Sequence, residues 1–182
     1  MPLPPPTTVN LEPNLSRDTK QWLHEVYVFS ELIRQRIHLT KDTTQNVGGA
    51  DGTVTYVSWD ADAAAKSSGF IHEDVTNPTR ILVKASGLYR VTWVIGVAQG
   101  GAARTTFMSH LRVNGTTLII RGRHRNYSRG SAYGDSSVGM DTEVSLTAGD
   151  YIECGVTVDD TDASYTSNTI NEECEVIVRR LP

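Results

Sequence analysis

From Gly87 to Val97 the chain reads Gly-Leu-Tyr-Arg-Val-Thr-Trp-Val-Ile-Gly-Val, and Tyr89, Val91, Trp93, Ile95 and Val97 recur at a spacing of two. On a pleated strand that spacing gathers the large side chains on one face, whereas a helix scatters them around its axis. A second stretch, residues 143–158, reads as strand, tight turn at Ala148-Gly149-Asp150, and strand, with Ile152, Cys154, Val156 and Val158 in one phase. Strands with one apolar face bury it against a second layer. The expected fold class is all-β, an antiparallel two-sheet sandwich, with any function placed on loops or outer faces.

The order of these pieces resembles the C1q and tumour necrosis factor family of jelly rolls. Gly87-Leu88-Tyr89 opens a long strand; Leu111-Arg112-Val113-Asn114-Gly115, Leu146 with Gly149-Asp150, and Cys174-Glu175-Val176-Ile177-Val178 follow in sequence. The resemblance covers residues 54–182. It implies a homotrimer whose amino-terminal stems gather near the threefold axis. It departs at one place: the family usually carries an aromatic-glycine pair before its last apolar residues, and Glu173-Cys174-Glu175 stand there instead.

Four regions are expected along the chain. Residues 1–14 hold Pro2, Pro4, Pro5, Pro6 and Pro13 of the seven prolines, which favours an extended arm over 1–15 that orders only when something else holds it. Residues 16–39 are expected to be an amphipathic helix, capped by Asn14 or Ser16, with Trp22, Val26, Phe29 and Ile33 at steps of four, three and four. Leu15 and Thr19 extend that phase backwards and Arg36 breaks it. A helix of this length is marginal alone in water, so its stripe needs a partner surface. Two partners are open: the chain's own body, or symmetry mates and another protein. Residues 40–53 read as a polar, glycine-rich linker, and 54–182 as the jelly roll.

Cys154 and Cys174 both sit in the inward phase of expected strands, where a free thiol behaves as a small hydrophobe; a disulfide between them stays open. The opening residues lack the basic patch and apolar core of a secretory signal, and no run of about 18 apolar residues offers a membrane span. On that reading the Asn114-Gly115-Thr116 and Asn126-Tyr127-Ser128 glycosylation patterns are chance matches.

Charge is divided along the chain. Val75 through Gly134 contains no acidic residue but carries Arg80, Lys84, Arg90, Arg104, Arg112, Arg121, Arg123, Arg125 and Arg129. Asp135 through Val178 carries Asp135, Asp141, Glu143, Asp150, Glu153, Asp159, Asp160, Asp162, Glu172, Glu173 and Glu175 and no Lys or Arg. Pairing between neighbouring strands explains both blocks, each opposite-charge pair contributing about 0.2 to 1 kcal/mol. A polyanion site explains only the basic block.

Within that block, Arg121, Arg123, Arg125, Tyr127, Arg129 and Tyr133 have the composition of a contact surface, because guanidinium forks grip carboxylate or phosphate and tyrosines supply stacking area. The three alternating arginines are expected on one strand face, with an exposed loop from Tyr127 onward. A solvated hairpin is the competing reading. Nucleic acid is disfavoured by the short patch and the net charge of -4. No catalytic motif, cofactor fingerprint or metal-ligand spacing occurs among the scattered His24, His38, His72, His110 and His124. Asp60-Ala61-Asp62 and Asp159-Asp160-Thr161-Asp162 lack the spacing of a calcium loop. No enzyme, cofactor or metal is expected.

A signal-less jelly roll with a short anchoring segment looks like a bacteriophage accessory protein. The expectation is a homotrimeric capsid-decoration, head-fibre or fibre-tip protein on the virion surface, assembled in the host cytoplasm. Residues 1–39 would attach it to capsid or tail proteins, with Trp22, Val26, Phe29 and Ile33 as the anchoring or oligomerisation residues. The alternative is an adhesion module that recognises an anionic host glycan through residues 121–134.

Overall fold

A computed structural model of the chain describes residues 16–48, 52–63, 67–99, 105–121, 123–128, 135–159, 167–169 and 173–182, with backbone alone at 28–34, 99, 159, 167 and 168. The expected arm, residues 1–15, lies outside them. Helix α1 (Arg17–Arg34) begins where Ser16 caps it: Ser16 Oγ accepts the Thr19 N–H at 3.2 Å, and Lys20 N–H reaches the Ser16 carbonyl at 3.0 Å. Along the helix Trp22 and Val26 are exposed, while Leu23 and Tyr27 are half-buried.

Strands β1 (Arg36–Thr40), β2 (Val54–Tyr56), β3 (Ala61–Asp62), β4 (Phe70–Glu73), β5 (Asn77–Val83), β6 (Gly87–Gln99) and β7 (Thr105–Val113) follow in order. The chain then continues through β8 (Thr117–Ile119), β9 (Arg125–Ser128), β10 (Ser136–Leu146), β11 (Tyr151–Asp159), β12 (Ser167–Thr169) and β13 (Glu175–Arg180). One sheet has the order β10-β6-β13-β1-β3, with β12 also on β6; the other has β4-β5-β11-β7-β8, with β2 on β11 and β9 on β7. Neighbouring strands run antiparallel. The expected all-β sandwich is the observed fold, and Tyr89, Val91, Trp93, Ile95 and Val97 are all at most 2% exposed in its core. Ile152, Cys154, Val156 and Val158 join the same cluster.

The region boundaries need correction. The helix stops at Arg34, and residues 36–40, expected as helix and the start of the linker, form β1. Strand pairing decides this: Ile37 faces Val178 and Leu39 faces Val176 in the ladder with β13, and both are fully buried. Nor is 40–53 a free linker in its described part. Lys41 N–H bonds the Cys174 carbonyl at 3.1 Å, Gln45 and Thr169 exchange two bonds of 2.9 Å, and Val47 is fully buried. The jelly roll therefore starts at β1 and not at residue 54.

The turns obey local chemistry. Asn114 (φ 51°) and Gly115 (φ 72°) both take left-handed backbone in the turn between β7 and β8, which the Thr116 N–H closes on the Val113 carbonyl at 3.2 Å, a conformation that favours Asn-Gly. Asn114 Nδ2 donates to Asp150 Oδ1 at 2.8 Å and its Oδ1 accepts the Tyr151 N–H at 3.0 Å, tying this turn to the one before β11. The two cysteines are free and buried, and burial pushes the Cys154 thiol well up. Cys174 Sγ lies 3.5 Å from the Gly96 carbonyl, which makes it a core side chain like Cys154.

Candidate functional site

Part of the divided charge is spent in cross-strand pairs: Arg90, Arg112 and Arg80 of the basic block meet Asp141 and Glu153 of the acidic one. On the outer face of the first sheet, Arg90 of β6 grips Asp141 of β10 with two guanidinium nitrogens, and Thr92 Oγ1 donates to the same carboxylate at 2.9 Å. The Arg90 bonds hold the Asp141 carboxyl below its ordinary value of 3.8. On the outer face of the second sheet, Arg112 Nε of β7 donates to Glu153 Oε2 of β11 at 2.6 Å, and Thr79 Oγ1 donates to Glu153 Oε1 at 2.6 Å. Arg80 Nε lies 3.7 Å from Oε1.

These two pairs share a chemistry and differ in surroundings. Both residues of the Arg90–Asp141 pair are well exposed, whereas the Glu153 side chain is only 3% exposed. Two tyrosines close the second site: the Arg112 guanidinium lies 3.6 Å over the Tyr56 ring and that of Arg80 lies 4.4 Å over Tyr151. Burial pushes the Tyr56 hydroxyl up, against the opposing pull of Arg112. Glu153, Arg112, Arg80, Tyr56 and Tyr151 thus form a satisfied ionic and aromatic ridge. Beside it runs an open cleft lined by Ile71, Glu73, Asn77, Arg80, Leu82 and Tyr151.

The basic segment does not assemble as expected. Its three arginines were to share one strand face, but β8 ends at Ile119 and β9 starts at Arg125. Along β7 the partner of Leu111 is Ile119, and the next bonded partner, at Ser109, is His124. Five steps (119 to 124) therefore correspond to two on β7 (111 to 109), so β8 and β9 pair with β7 as two separate strands and not as one continuous strand.

The three arginines go to different places. Arg121 is exposed and lies with Arg90, Asp141, Thr142 and Glu143 around a shallow depression of mixed charge. Arg123 is half-buried and close enough to His110 to help lower that imidazole's proton affinity, although burial of the ring is the larger cause. Arg125 and Tyr127 alone keep the expected alternation, opposite Met108 and Thr106 on the outer face of β9. Tyr127 is thus in a strand and not in a loop. Arg129 and Tyr133 lie outside the described residues.

The anchoring residues are likewise divided. Trp22 is 60% exposed and Val26 45%, while the side chains of Phe29 and Ile33 lie outside the described set. Of the oxygen-rich turns, Asp60 spends its carboxylate on Lys41, Thr43 and the Asp42 N–H, and 160–162 are not described. Among the described residues, no group of three or more His, Cys, Asp or Glu is placed to hold a metal ion. No described helix is long and apolar enough to cross a membrane.

No family model and no curated protein matches the sequence. Solved structures do match. A crystal structure of murine APRIL at pH 8.0 superposes with a TM-score of 0.54 at 14% identity, covering 80% of this chain and 98% of that one. A second, at pH 5.0, gives 0.53 at 13% with the same coverage. At such identity the likeness is one of architecture, and together with the strand order it makes residues 36–182 a jelly roll of the tumour necrosis factor type.

Proposed function

We propose that this chain is a non-enzymatic structural protein of a bacteriophage particle, a homotrimer of jelly rolls attached to the capsid or tail through its N-terminal segment. The single observation that carries this reading is the contrast between a closed body and an open helix. Trp22 and Val26 leave an apolar stripe in water on α1, next to a proline-rich segment suited to docking in extended form. Fully burying side chains of that kind contributes roughly 1.5 to 3 kcal/mol each, enough for a few of them to hold a subunit on a larger assembly.

The jelly-roll fold supports the homotrimer by resemblance. The test is removal of residues 1–34, which spares β1. The shortened chain is expected to keep the mass of a trimer and its unfolding midpoint while no longer joining particles of its phage. A shortened chain that still joins them overturns the reading, and so does an active-site titration showing turnover.

A further inference from the structure

On the outer face of the second sheet, strand register sets three side chains in one lateral row. Ile71 of β4 stands opposite Leu82 of β5, and Leu82 opposite Tyr151 of β11. Their chain neighbours Phe70, His72, Ile81, Val83 and Ile152 are buried, which turns the row outward. In the described strand order β4 is an end strand, so the row finishes at an open margin, and Ile71 is 38% exposed. Polar heads stand beside it. Glu73 on β4 is opposite Asn77 on β5, whose Nδ2 donates to Glu73 Oε2 at 3.3 Å. Arg80 is held from two sides, its guanidinium 4.4 Å over the Tyr151 ring and its Nε 3.7 Å from Glu153 Oε1, yet its side chain is still 44% exposed. These residues line the open cleft beside the ionic ridge.

We propose that this cleft binds one uncharged sugar ring, with Ile71, Leu82 and Tyr151 under its apolar face and Glu73, Asn77 and Arg80 on its hydroxyl groups. Size limits the occupant: the cleft holds about 240 Å³, below the roughly 300–1,000 Å³ of sites for drug-sized ligands, which suits a single ring and not a chain. Charge limits it further. Glu73 and Glu153 balance Arg80 and Arg112, so neither an anion nor a cation gains a net attraction there. The polar heads offer both kinds of partner, since a carboxylate only accepts, a guanidinium only donates and an amide does both; a hydroxyl group, which gives and takes at once, uses all three. A purely apolar molecule would strip water from Glu73, Asn77 and Arg80 and return no bond for it. The site is independent of the attachment segment and of the particle reading.

The experiment is NMR on the isotope-labelled full chain, titrated separately with the methyl glycosides of glucose, galactose, mannose and N-acetylglucosamine, and with cyclohexanol as a ring that lacks the polyol edge. Saturable shifts confined to the cleft residues are expected with at least one glycoside, and binding of cyclohexanol at least tenfold weaker. Glu73→Ala should weaken the glycoside response about tenfold, because it removes a charged acceptor, while Val75→Ala, in the turn beside the cleft and 88% exposed, should leave it unchanged. Unfolding midpoints equal to that of the parent report an intact body in both variants. No saturable shift with any of the four glycosides overturns the proposal, as do shifts centred elsewhere, cyclohexanol binding as tightly as the best glycoside, or a Glu73→Ala chain that keeps full affinity.

Discussion

An apolar stripe on β6 and a pair of apolar side chains on α1 meet opposite fates in this molecule. On β6, Tyr89, Val91, Trp93, Ile95 and Val97 sit at most 2% exposed between two sheets; on α1, Trp22 and Val26 remain 60% and 45% exposed. The first stripe is satisfied by its own chain, since β10 and β13 flank it and the second sheet covers it. The second is not satisfied by the described body. Apolar burial stabilises in proportion to area removed from water, so the β6 stripe serves folding, while on the proposed reading the exposed Trp22 and Val26 serve attachment.

Substitutions on either side of that divide should separate sharply. Phe107→Ala empties a fully buried site on β7 and is expected to lower the unfolding free energy by about 3–5 kcal/mol in denaturant titration, without changing particle attachment. Glu153→Ala leaves the partly exposed Arg112 and Arg80 without their shared carboxylate and Thr79 without its acceptor, and about 1–3 kcal/mol is expected. Gly139→Ala drives a Cβ to within 2.5 Å of the Trp93 carbonyl, so strand β10 must shift; about 1–3 kcal/mol is expected from the same titration. Trp22→Ala should stay within about 0.5 kcal/mol, because the side chain is already in water. A large stability loss from Trp22→Ala would erase the contrast, and a Phe107→Ala chain as stable as the parent would do the same from the other side.

Acid sharpens the picture for the body alone. Burial raises the Asp60 carboxyl, but its bonds to Lys41, Thr43 and the Asp42 N–H outweigh that and hold it low; Arg90 lowers Asp141, and Asn114 lowers Asp150. A carboxyl depressed on folding contributes stability that is complete above its ordinary value of 3.8 and is lost as pH falls through the lower folded value. Thermal unfolding should therefore shift downward as pH falls below about 4, and salt should weaken the exposed Arg90–Asp141 contribution more than that of Arg112–Glu153.

The core was legible because its period is unambiguous: the β6 and β11 stripes were assigned to strands from spacing alone, and both hold. Strand β1 was not, because five residues directly after a helix carry too short a pattern to declare a strand; only pairing with β13, far away in sequence, settles it. The opposite-charge pairing of strands was legible as two blocks, though not which pair would be buried. That depends on register, which brings Arg112 and Glu153 together across 41 positions, and on Tyr56 and Tyr151 closing over them. The arginine alternation at 121–125 misled because β8 ends at Ile119 and β9 starts only at Arg125, a break set by pairing with β7 and not by local spacing.

The most direct measurement of the central claim is incorporation of a full-length Trp22→Asp, Val26→Asp chain into particles, with its unfolding midpoint recorded alongside. Loss of incorporation with an unchanged midpoint is the predicted result. Normal incorporation, or a midpoint that falls as it does for a core substitution, would contradict the assignment of the helix stripe to attachment.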